Sequence, residues 1–175
     1  MPELETREQA LAYLAEMSPT ETFRVYPFEH GWVCTKVPTP QQVSSGATVG
    51  MARLVIDSQT GNVYVYPSLP VPMVAEMHSE GKRTGRNKAG EPIYPHRWRI
   101  TMDKTLEDDA TVEYQMTVES LTDPPEPNQR FPMTINKQTF HVQPPGRLTR
   151  RAMARAESLS RQNQGVWPET AETTV

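Results

Sequence analysis

One cysteine, Cys34, stands among 175 residues. A lone thiol closes no internal disulfide, which suits a reducing cytoplasm. No run approaches the ~18 apolar residues of a membrane-spanning helix. The first residues, Met1-Pro-Glu-Leu-Glu-Thr6, are acidic and lack the apolar stretch of a secretory signal. A basic excess is missing too: 18 Lys and Arg stand against 21 Asp and Glu, a net charge of −3. General nucleic-acid binding needs a basic face to neutralise phosphates. Neither a membrane nor a nucleic acid is therefore the expected partner.

Catalytic patterns are equally scarce. The four histidines are His30, His78, His96 and His141. None has a partner at i+2 or i+4 that would make a helical metal pair. Glu76-x-His78 comes nearest, and its expected place is a solvent-facing helix end. Cys34 sits in a strand-like run beside Trp32 and Val33, where a thiol acts as a small hydrophobe rather than a nucleophile. Ser44-Ser45-Gly46 is no nucleophile elbow. Gly81, Gly85 and Gly90 lack the Gly-Lys-Ser/Thr ending of a phosphate loop. Asp103, Glu107, Asp108 and Asp109 cluster near an expected turn, facing solvent or a basic partner. No enzyme, cofactor or metal is expected.

Proline is plentiful. Seventeen residues are about twice the usual ~5% share. Each removes a backbone donor and fixes φ, so the chain is cut into short elements. Thr6-Arg-Glu-Gln9 has the form of a capping box and opens an amphipathic helix over residues 7–17. Ser18-Pro19 stops it. Phe23–Phe28 and Gly31–Val37 read as strands joined at Glu29-His30-Gly31, with Trp32 and Cys34 on one face. Residues 38–46 read as a polar loop. Val49–Asp57 and Thr60–Tyr66 read as a hairpin whose turn ends at Gly61, where a positive φ is wanted. Val63 and Val65 share one face of it, Tyr64 and Tyr66 the other. Pro72 introduces a short helix over residues 73–78. Between Gly81 and Gly90 lie four cations, and residues 79–96 read as a mobile basic loop.

Beyond Tyr94, residues 97–102 and 110–118 alternate as half-buried strands. Asp123-Pro-Pro-Glu-Pro127 is a rigid loop. Residues 131–142 make one or two short strands. Residues 147–161 form a helix with a thin apolar stripe of Leu148, Ala152 and Leu159. Its other face carries Arg147, Arg150, Arg151, Arg155 and Arg161, facing solvent, an acidic partner or nucleic acid. The expected class is α+β: an N-terminal helix, an antiparallel meander, further strands and a C-terminal helix. One domain over residues 1–165 is expected, with 1–80 as helix plus meander and 95–165 as strands plus helix. A flexible tail over 166–175 follows.

The leading helix with Ala10-Leu-Ala-Tyr-Leu14, then Gly31-Trp-Val33, then Leu54-Val-Ile-Asp57-Ser-x-Thr-Gly61-x-Val63, resembles YrhB-type domains and immunity proteins of polymorphic bacterial toxin systems. The resemblance covers roughly residues 1–80. It implies a non-enzymatic cytoplasmic inhibitor, a monomer when alone, that occludes the active site of a cognate protein toxin. Lys82, Arg83, Arg86, Lys88, Tyr94, Arg97 and Trp98 are the candidate partner-binding residues, since arginines and aromatics are frequent interface anchors. The alternative is a structural or adaptor protein, such as a secretion-system chaperone.

Overall fold

The computed structural model describes residues 1–47, 50–86 and 92–175. The chain divides into two compact units, Met1–Pro95 and His96–Val175.

The first unit is built on a four-stranded antiparallel sheet in sequential order: β1 (Phe23–Phe28), β2 (Gly31–Lys36), β3 (Arg53–Asp57) and β4 (Val63–Tyr66). The helix α1 (Arg7–Met17) begins with the expected capping box between Thr6 and Gln9. Ala10, Tyr13 and Leu14 of α1 pack against Phe23, Val25, Trp32, Cys34, Ile56 and Val63. The polar tips in this layer are satisfied. Trp32 Nε1 donates to the Leu4 carbonyl at 2.9 Å, and the Tyr13 hydroxyl donates to the Gly61 carbonyl at 2.7 Å. The opposite face, with Val33, Val55 and Tyr66, packs against Val74 of α3 (Val71–Thr84). A strand buried on both faces reads as a continuous apolar run, and Gly31-Trp-Val-Cys34 in β2 does so.

Local readings failed in two places here. Residues 38–46 contain a short helix, α2 (Pro40–Ser44), with its own capping box between Thr39 and Gln42. The helix expected over 73–78 runs on to Thr84 and ends at Gly85, whose φ of 69° is left-handed. Residues 79–84 are therefore helical where a loop was expected. Gly81 and the charges around it suggested a break, but Gly81 lies on the buried side of α3. The expected start of the third strand at Val49, and the expected loop over 87–91, lie outside the described residues.

The second unit has its own sheet rather than an extension of the first. Its strands are β5 (Trp98–Glu107), β6 (Thr111–Ser120), β7 (Gln129–Asn136), β8 (Val142–Gln143) and β9 (Thr170–Thr174), ordered β8-β7-β6-β5-β9. In β6, Val112, Tyr114, Met116 and Val118 are buried in strict alternation, as their spacing predicts. They join Ile100, Met102, Met133 and Ile135 in one core. The helix α4 (Arg147–Gln162) presses small residues on it: Thr149, Ala152, Ala156 and Ser160 form its buried face, with Leu148 and Leu159 only partly covered. Residues 166–175 were expected as a frayed tail. Instead Trp167 and Ala171 enter the core, and β9 pairs with β5 from Arg99↔Thr174 to Asp103↔Thr170. The run Thr-Ala-Glu-Thr-Thr is too short and polar to announce a strand, and only pairing with β5 makes it one.

Candidate functional site

The hairpin β3–β4 and helix α3 meet in a buried polar chain. Asp57 ends β3, and its Oδ1 accepts the backbone N–H groups of Gln59 (2.9 Å) and Thr60 (3.1 Å), which shapes the turn. Its Oδ2 faces His78 Nε2 at 3.1 Å and accepts from Lys82 Nζ at 2.6 Å. His78 Nδ1 lies 2.9 Å from the Tyr66 hydroxyl. An ionised carboxylate only accepts, so His78 carries its proton on Nε2, and Nδ1 accepts from Tyr66. Lys82 also donates to Gln59 Oε1 at 2.8 Å, closing the chain over the turn.

Packing also confines the imidazole. Phe28, Tyr64 and Tyr66 surround His78 edge-on, with centroid distances of 5.8, 5.3 and 6.0 Å. Burial lowers the His78 pKa below its ordinary value, and the charges of Lys82 and His30 push the same way. These outweigh the hydrogen bond and charge of Asp57, which raise it. His78 is therefore a neutral ring at neutral pH. Asp57 is also held below the ordinary carboxylate value. Burial alone would raise it, but hydrogen bonds from Lys82, His78 and Gln59 outweigh that.

Tyr66, His78 and Asp57 are each 1–2% exposed. A Tyr–His–Asp sequence could relay a proton, but no reacting group reaches it from solvent. The chain ties α3 to the hairpin. His78 is thus an interior residue, not the solvent-facing helix end expected. The signal was in the spacing. Val71, Val74, His78 and Gly81 recur at intervals of three and four, so His78 falls on the buried stripe of α3.

The expected partner-binding residues separate into different environments. Lys82 and Arg83 lie in the last turn of α3, not in a loop. Lys82 is spent internally on Asp57 and Gln59. Arg83 is exposed and pairs with Glu80 at 2.8 Å, and Arg86 is exposed just past the helix. Lys88 lies outside the described residues. Tyr94 stacks edge-on against Tyr13 at 5.2 Å, and its backbone bridges to Val63, so it completes the first core. Arg97 and Trp98 belong to the second unit. Arg97 pairs with Glu126, and Trp98 packs against the second core. Beside Lys82 and Arg83, a groove of about 480 Å³ is lined also by Glu29, His30, Glu76, Ser79 and Glu80. Among the described residues, no cluster of His, Cys, Asp and Glu could hold a metal ion. Among them, too, no helix is long and apolar enough to cross a membrane.

Residues 5–86 match the family model of the Immunity protein 35-like domain. No curated protein and no solved structure matches the chain. The match spans α1 through the end of α3, and so contains every member of the buried chain from Asp57 to Lys82.

Proposed function

We propose that this chain is a bacterial immunity protein that binds a cognate protein toxin in the cytoplasm and blocks its active site without catalysing a reaction. The observation that carries the reading is the immunity-domain match over residues 5–86, which falls inside the first compact unit. The architecture of that unit suits the task. Helices cover both faces of its sheet, and the Tyr66–His78–Asp57–Lys82 chain fixes α3 in place. A surface held rigid before contact loses little freedom on binding, so more of the interaction energy appears as affinity.

The contact surface proposed is the exposed end of α3 with the groove beside it. Arg83 and Arg86 supply charge, and Glu29, His30, Glu76 and Glu80 supply acceptors around them. The Arg83–Glu80 pair is a surface bridge of the kind that contributes little to stability, so its guanidinium is available to a partner carboxylate. Lys82 and Tyr94 act behind this surface as supports. A stable complex buries ~1,200–2,000 Å², so the toxin must also cover ground beyond the groove.

The test is co-expression with a toxin encoded beside this gene. Survival of the producing cell and isolation of a 1:1 complex are expected. A toxin that kills equally well in the presence of the protein overturns the proposal. Charge reversal at Arg83 and Arg86 is expected to weaken the complex and leave the fold intact.

A further inference from the structure

The second unit lies outside the immunity-domain match, and its arginine row has no role in the reading above. Along α4, Arg151 has Arg147 and Leu148 one turn before it, and Ala154 and Arg155 one turn after. Arg155 has Ser158 and Leu159 after it. Neither arginine meets a carboxylate on its own helix, and like charges four apart repel. Both side chains nonetheless line one groove of about 480 Å³, between α4 and β9, completed by Ala154, Ser158, Glu172, Thr173 and Thr174.

The groove tethers Arg155, and among the described residues neither Arg151 nor Arg155 is paired with a carboxylate. Arg155 Nε donates to the Glu172 backbone carbonyl at 3.3 Å, which fixes the guanidinium and leaves its two terminal nitrogens for another acceptor. The Glu172 carboxylate turns instead toward Arg99, 4.0 Å away. The positive field is felt nearby: after burial, the charge of Arg151 is what lowers the pKa of His96, whose Nδ1 lies 2.7 Å from Thr174 Oγ1.

We infer that the groove between α4 and β9 is a docking site for an acidic polypeptide segment, whose carboxylates are gripped by Arg151 and Arg155. Guanidinium forks match carboxylates bidentately. Among the described residues, the strand forming one wall is an edge strand paired to β5, so an extended segment can lie along its outer side. Nucleic acid is disfavoured by the groove itself. Among the described residues no aromatic ring lines it to stack on a base, and the whole chain is net acidic. The site stands apart from the toxin reading and survives its failure.

The test is titration of the full chain with a fluorescent hexaglutamate peptide at about 0.01 M ionic strength, where the Debye length is about 30 Å. Saturable binding is expected. R151A/R155A is expected to weaken it about tenfold, and R151E/R155E to abolish it. R150A, on the same helix but outside the groove, is expected to stay within about twofold of wild type. Thermal unfolding of each variant checks that its fold is kept. Three results would overturn the site: no saturable binding, an equal loss in R150A, or tighter binding of inorganic phosphate or a single-stranded oligonucleotide than of the peptide.

Discussion

His78 Nε2 and Asp57 Oδ2 lie 3.1 Å apart in the interior of the first unit, bridging 21 positions of sequence. The pair links a helix to a hairpin turn through groups that water does not reach. A buried polar pair of this kind is costly to break, because the surviving partner keeps its desolvation penalty.

His78→Ala removes the ring that Tyr66 and Asp57 both use, and leaves a cavity among Phe28, Tyr64 and Tyr66. A loss of about 2–4 kcal/mol is expected. Urea unfolding followed by tryptophan fluorescence measures it. A loss below about 0.5 kcal/mol, the size typical of surface changes, would show that the chain does not brace the unit.

Acid should loosen the same brace in two stages. The folded His78 pKa lies below its ordinary value of 6.5, so the unfolded chain takes up the proton more readily. Its contribution is full above about pH 6.5 and is lost as pH falls through that value toward the lowered one. Asp57 is lowered from 3.8, so its contribution is full above that value and is lost at still lower pH. Stability measured from about pH 7 to 5 should decline in the wild type, and the decline should flatten in His78→Ala. Parallel curves would place the titrating group elsewhere.

Two glycines with positive φ should respond very differently to alanine. A Cβ at Gly31 would sit 2.0 Å from the Ile56 carbonyl oxygen, with φ at 142°, so Gly31→Ala is expected to prevent folding of the first unit. Gly85 has φ of 69° and nothing among the described residues within 4 Å, so Gly85→Ala should cost only the left-handed backbone penalty of about 1–2 kcal/mol. Soluble yield and melting temperature separate the two. A well-folded Gly31→Ala protein would contradict the close approach of β2 to β3.

Cys34 is fully buried, and burial pushes its thiol up to about 12. A thiol-reactive dye should label it only after denaturant is added, because the thiolate is the reactive form. Rapid labelling of the native protein would mean that the α1 side of the sheet opens readily.

Elements that carried their own signals were legible from sequence. The Thr6–Gln9 box placed α1, and alternation placed β6 and its buried set. The opposite faces of Val63 and Tyr66 followed from a period of two, and each joins a different core. The chain Tyr66–His78–Asp57–Lys82 was not legible as a unit. Its members come from a strand, a turn and two turns of a helix, and only the packing of α3 on the sheet brings them together. Lys82 looked like a free cation because nothing local shows that Asp57 waits for it. β9 was hidden for a similar reason, since its partner β5 is far away in sequence.

The order of strands sets a clock on folding. In the first unit each strand lies beside its sequence neighbour, so every hairpin closes a short stretch of chain. In the second, Met102 must find Ala171 before β5 gains its outer neighbour, and closing so long a loop costs more chain entropy. During synthesis, the unit carrying the immunity-domain match emerges first, and its meander can zip up while much of the second sheet is still unmade.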